Sequence, residues 1–188
     1  KSNPMEFEHV TLAALFFLVA ALYSSVGHAG ASGYLAAMAL LGFAPEQMRP
    51  TALALNILVG GIGLWRFHKA ALVPWRKVLP FVLASIPAAY LAAQWKVPKE
   101  TYSMLLGGLL AAAAVGAWHS GDKIALNGEI PISKRIPWPA ALLTGALIGC
   151  LSGITGTGGA IFLTPLLLAM AWAHTREASG LSVAFVWL

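Results

Sequence analysis

Apolar runs broken by short polar or glycine-rich stretches set the pattern of the chain. Residues 10–26, 34–43, 51–67, 78–95, 101–119, 140–152 and 160–173 are mainly apolar, and another such run opens at 178. At helical rise, the 17 residues of the first run extend about 26 Å, nearly the thickness of a bilayer's hydrocarbon core. The ten residues 34–43 extend only about 15 Å and cannot cross alone. Polar loops at 44–50, 68–77, 96–100, 120–137 and 174–177 separate the runs. Pro50 and Thr51 predict the opening of the helix over 51–67, and Pro80 and Pro87 predict kinks in the one over 78–95.

Two of the breaks carry no charged residue apart from one histidine. Gly27-His28-Ala29-Gly30-Ala31-Ser32-Gly33 follows the first run, and Gly153-Ile154-Thr155-Gly156-Thr157-Gly158-Gly159 follows 140–152. Gly27, Gly30 and Gly33 map onto Gly153, Gly156 and Gly159 with one constant offset, which predicts an internal duplication. Repeat one covers 9–119, a polar connector 120–137, and repeat two 138–188, all within a single transmembrane domain over 5–188. Repeat two lacks counterparts of 78–95 and 101–119, so it is expected to be truncated. As one straight helix, 10–43 or 140–173 would extend about 50 Å against a core of about 30 Å. Each segment is therefore expected to fold back at its glycine turn. Repeat one then has five membrane segments, an odd number, and repeat two is inverted relative to it. The expected fold class is an all-α polytopic membrane protein of two inverted repeats, each opening with a glycine-turn helical hairpin.

Composition agrees with the pattern. Of 188 residues, 59% are hydrophobic and 10% charged, against about 25% charged in soluble domains. The net charge of +5 comes from cations in loops, notably 66–77 and 123–135, which places those loops in the cytoplasm. The expected location is the inner (plasma) membrane, crossed several times, and nucleic acid is excluded as a partner. Cys150 is the one cysteine; it forms no internal disulfide and reads as a small core residue. Lys1-Ser2-Asn3-Pro4 ahead of Met5 reads as a vector-derived leader. The run 10–26 has no basic leader or cleavage site and reads as a retained helix. Gly60, Gly61, Gly63, Gly107, Gly108 and Gly116 read as helix-packing positions.

The seven acidic residues all lie in loops or near the N-terminus, so no carboxylate pair is expected inside the membrane. No Cys/His cluster has metal spacing, and neither turn ends in the Lys-Ser/Thr of a phosphate-binding loop. No cofactor is expected. What the turns offer is backbone. A break in a membrane helix frees N–H groups that lipid cannot satisfy, and a helix start attracts anions through those groups and its dipole. The candidate substrate-binding set is Gly27, His28, Gly30, Ser32 and Gly33 in the first turn, and Gly153, Thr155, Gly156, Thr157, Gly158 and Gly159 in the second. Asn56, the lone amide of its run, is added as either a lining residue or a helix-to-helix hydrogen bond. His28 either contacts the anion, carries a coupled proton or is structural. Arg49 and Arg176 either attract anions at the cavity mouth or are ordinary interfacial loop arginines, the second being the preferred reading.

The second turn continues Ala160-Ile161-Phe162-Leu163-Thr164-Pro165-Leu166-Leu167-Leu168, followed by Arg176-Glu177-Ala178-Ser179-Gly180-Leu181. This resembles the sulfite exporter TauE/SafE family, also called the 4-toluene sulfonate uptake permease family. The first copy departs from that pattern at Ala31-Ser32-Gly33 and Pro50-Thr51. The resemblance covers 12–188 and implies a secondary carrier of sulfite or an organosulfonate, driven by an ion gradient. A coupling proton or other ion and a homo-oligomer are compatible with it. Two other readings stay open: a passive anion channel, and a rhomboid-like intramembrane protease using Gly30-Ala31-Ser32-Gly33 with His119 as base.

Overall fold

The structure, a computed structural model, describes residues 4–25, 29–95, 97–127 and 135–188. Gly27 and His28 therefore lie outside the described residues, as do 128–134 of the connector. The described residues form eight α-helices and no strand: α1 (Pro4–Ser25), α2 (Ala31–Leu40), α3 (Pro45–Lys69), α4 (Trp75–Ala93), α5 (Lys99–Asn127), α6 (Trp138–Thr155), α7 (Ala160–Ala169) and α8 (Thr175–Trp187). Several bounds differ from the sequence reading; α6 runs on to Thr155 and α2 begins at Ala31, so parts of both glycine turns are helical. Pro45, not Pro50, opens α3, and Pro50 lies inside the helix. α5 runs on to Asn127, into the stretch read as connector.

α3, α4 and α6 are long and apolar enough to cross a membrane. Their outer faces are apolar too: Ile57, Leu58, Ile62, Leu83, Leu91 and Leu143 are all exposed. A patch of this size on a water-facing protein would drive association, whereas lipid accepts it without cost.

The closest packing joins α4 and α6. Every fourth residue of α6 is small, and a Cβ at Gly145, Gly149 or Gly153 would collide with the backbone of Phe81, Ser85 or Ala89 respectively. The numbers rise together, so the two helices run parallel, backbone against backbone. Lipid supplies no hydrophobic drive for helices to associate, so such contacts hold by van der Waals packing. α3 and α8 run antiparallel. Gly61 meets Trp187, Gly63 meets Val183, and Phe67 approaches Gly180. At the start of α4, Lys77 pairs with Glu177 of α8 at 2.7 Å.

Two buried clusters result. One gathers Phe81, Val82, Ile148, Leu163, Leu167, Leu181 and Phe185 from α4 and α6–α8. The other gathers Tyr34, Leu35, Met38, Met48, Tyr102 and Leu106 from α2, α3 and α5, with α1 laid against it through Phe16 and Val19. Gly60, Gly61 and Gly63 face α8 at packing distance and Gly116 faces Pro165, whereas Gly107 and Gly108 meet nothing within 4 Å. Cys150 is exposed, not a core residue.

The contrast between these glycines is measurable. Gly149→Ala is expected to destabilise the detergent-purified protein by about 1–3 kcal/mol through overpacking against Ser85. Gly107→Ala, on an open face, should leave the melting temperature unchanged or slightly raised. Equal melting temperatures for the two variants would refute the parallel α4–α6 contact.

Candidate functional site

α2 and α7 are matched short helices of ten residues each, and each starts at a glycine. The N-caps are Gly30 (φ 93°, ψ 5°) and Gly159 (φ 78°, ψ −20°), both left-handed. Residues with a Cβ avoid this region, so the chain can turn into each helix only where the sequence provides glycine. Neither helix has a side-chain cap. The first N–H groups of a helix have no partner within it and require one from elsewhere. Here they are buried: Ala31 is 3% exposed and Ala160 4%.

Both helix starts face one cavity. Gly30, Ala31 and Ser32 line it from the first turn, and Thr157, Ala160 and Ile161 from the second; Tyr23, Asn56 and Val186 close it. Its volume, about 10 Å³ for the centre of a water-sized sphere, holds roughly one water molecule. The two turns, 126 positions apart in the duplicated register, thus come together in space.

Asn56 is the polar residue of this cavity without a partner. It is 3% exposed, and neither Oδ1 nor Nδ2 has a hydrogen bond. Leaving buried polar atoms unsatisfied costs about 1–3 kcal/mol per group. Asn56 lines this cavity and makes no helix-to-helix hydrogen bond among the described residues. The hydroxyls differ. Ser32 Oγ donates to the Tyr23 hydroxyl at 3.2 Å. Thr157 Oγ1 lies 3.1 Å from Thr155 Oγ1, and Thr155 Oγ1 in turn donates to Leu151 O at 2.7 Å. No described lining residue is charged.

The end of α6, on the other side of the second break, has most of its last carbonyls engaged. Gly156 N donates to Ser152 O at 2.7 Å. Arg49 Nη2 donates to Gly153 O at 2.6 Å and to Ala93 O at 3.4 Å. Tyr102 Oη donates to Thr155 O at 2.7 Å in a buried bond. A guanidinium at a helix C-terminus offsets the negative end of the dipole. Arg49 is therefore not an idle loop arginine: it ties the start of α3 to the ends of α4 and α6. Arg176 is exposed.

Of the residues singled out in the sequence, Gly30, Ser32, Asn56 and Thr157 line the cavity. The other described ones pack around it. A Cβ at Gly158 would meet Asn56 Nδ2 at 2.5 Å, one at Gly159 would meet Ile148 and Phe185, and one at Gly156 would meet Arg49. Gly33 packs on Val19 of α1, Gly153 on Ala89, and Thr155 sits one layer behind Thr157. The capping role of Arg49 was missed, and Tyr102, Tyr23 and Val186 were not singled out at all. Their roles depend on contacts between distant parts of the chain, and no local motif marks them. Ser32 and His119 are not a dyad: His119 Nδ1 bonds Val115 O of its own helix at 2.9 Å, on a separate groove between α5 and α7.

Spanning helices, a lipid-facing apolar surface and a buried polar cavity between interrupted helices place the chain among membrane transporters. It belongs to the sulfite exporter TauE/SafE family, whose description matches residues 12–188. It is 43% identical over 182 residues to the probable membrane transporter protein y4hK of Sinorhizobium fredii, covering 96% of this chain and 73% of that protein. No solved structure matches.

An unsatisfied Asn56 predicts an uncommon pair of effects. Asn56→Leu removes two orphaned polar atoms at similar volume, so the ligand-free protein should melt at a higher temperature, by the equivalent of about 1 kcal/mol or more. The same variant should lose transport. A variant that melts lower and still transports would show Asn56 to be structural.

Proposed function

We propose that the chain is a secondary carrier of a small sulfur-containing anion, such as sulfite or an organosulfonate. The N–H groups opening α2 and α7 and the Asn56 amide bind it, joined by the Ser32 and Thr157 hydroxyls once they turn from Tyr23 and Thr155. The observation that carries this reading is the convergence of two buried, uncapped helix starts on a cavity that also holds an unpartnered amide. Positive helix ends at a wet or ligand-filled break are the membrane counterpart of soluble anion sites. The family's description as a sulfite exporter supports a sulfur oxyanion as the cargo.

The packing supports an inverted duplication. α3 and α8, counterparts in the two copies, run antiparallel past each other. α6 starts level with the start of α4, and Glu177 returns to Lys77 at that same end, as a hairpin over 138–177 requires. On the first copy, Tyr23 meets Ser32 and Phe16 stacks edge-on to Tyr34, with ring centroids 5.1 Å apart. Asn56 lies near the middle of the 25 residues of α3, which supports a cavity close to the midplane, in a multi-pass protein of the inner membrane on this reading. A cavity with room for one water is too small for sulfite, so this conformation is closed and loading widens it. A closed cavity favours a carrier over the passive channel. The coupling ion, a proton or another, is not assigned by these contacts.

Transport tests the site. Gly30→Val and Gly159→Val force a Cβ into left-handed backbone and should abolish sulfite or sulfonate flux in proteoliposomes, with the protein still inserted. Normal flux through both variants would sink the proposal.

Orientation has its own test. In a Cys150→Ala background, a cysteine at Lys99 should react in intact cells with a membrane-impermeant maleimide, and one at Arg76 should not. The opposite pattern would reverse the assignment of 68–77 to the cytoplasm.

A further inference from the structure

The cavity carries information about the charge of its ligand. We propose that it is built for a singly charged anion and discriminates against doubly charged ones. This rests on the reading of the cavity as the anion site.

The positive character of the cavity comes from its two helix starts and from no ionised side chain among the described residues. A helix N-terminus is equivalent to about half an elementary charge. Two of them facing one cavity therefore balance about one negative charge. The second break could have cancelled its share, since α6 ends there with its negative pole. It does not, because Arg49 and Tyr102 hold the Gly153 and Thr155 carbonyls. The Arg49 guanidinium is engaged by Gly153 O and Ala93 O, and Arg49 does not line the cavity.

Charge enters the two opposing terms differently. The attraction of fixed dipoles grows in proportion to the ligand's charge, whereas the cost of removing it from water grows with the square of that charge. Doubling the charge doubles the gain and quadruples the cost. With neutral donors alone the second charge is uncompensated. Asn56 adds a geometric argument. Its amide presents an unpaired acceptor beside an unpaired donor, both buried. A protonated oxyanion can satisfy both, whereas a fully deprotonated dianion brings acceptors only.

Methanesulfonate and sulfate separate the effect of charge from that of shape. They are nearly the same size, with a methyl group in one where the other has a charged oxygen. Binding of each to the detergent-purified chain is measured by thermal stabilisation at constant ionic strength and pH. The same series is run on Asn56→Leu and on the milder Ser32→Ala. Methanesulfonate is expected to bind the unmodified chain about tenfold more tightly than sulfate or better, and to weaken in both variants. Sulfate binding as tightly as methanesulfonate, and weakening in the variants, would overturn the charge rule and leave the cavity as the anion site. No stabilisation by either anion, or stabilisation unchanged in both variants, would overturn the site and the charge rule together.

Discussion

A helix interrupted inside a membrane must find partners for the backbone groups it sets free, because lipid offers none. Much of this structure answers that constraint at the second glycine break. The carbonyl side of the break is closed by the protein itself: a turn N–H on Ser152, a guanidinium on Gly153 and a phenol on Thr155. The N–H side is left facing a cavity. The asymmetry has a chemical meaning. Carbonyls bound by the protein repel no incoming anion, and N–H groups left open attract one.

The partners for that closure come from far along the chain. Arg49 reaches Gly153 across 104 positions, and Tyr102 reaches Thr155 across 53. For Arg49 to arrive there, α3 must start beside the ends of α4 and α6. The antiparallel contact with α8 runs along the same α3, whose middle supplies Asn56. One helix thus caps the second break at its start and lines the cavity at its centre. The Lys77–Glu177 pair at the opposite end is partly exposed and adds little energy, on the order of 1 kcal/mol or less. Its contribution is to set α8 against α4.

The membrane class and the site's outline were legible in the sequence. Glycines in a repeated register announce turns because few other residues adopt that backbone, and Asn56 stood out as an amide in an apolar run. Ser32 and Thr157 followed from their places in the turns. The rest was hidden for physical reasons. Arg49 has the same local context whether it faces water or caps a distant helix, and only the fold decides. Tyr102 reads as an ordinary aromatic near a helix start. Gly107 and Gly108 look like packing glycines yet meet nothing within 4 Å, while Gly145 and Gly149, absorbed into an apolar run, make some of the tightest backbone contacts. Spacing by four was the available signal there, and it becomes informative once Phe81, Ser85 and Ala89 are seen at the same spacing on α4.

That last contact limits how the molecule can move. α4 follows the first glycine turn and α6 leads into the second, so on the proposed duplication they belong to different copies. Backbones in direct contact, with no side chain between them to slide or repack, behave as one stiff body. On that reading the two copies meet backbone to backbone along their closest seam, and a motion that widens the cavity would keep α4 and α6 together as one frame and leave the side-chain-cushioned contact of α3 with α8 as the surface that gives.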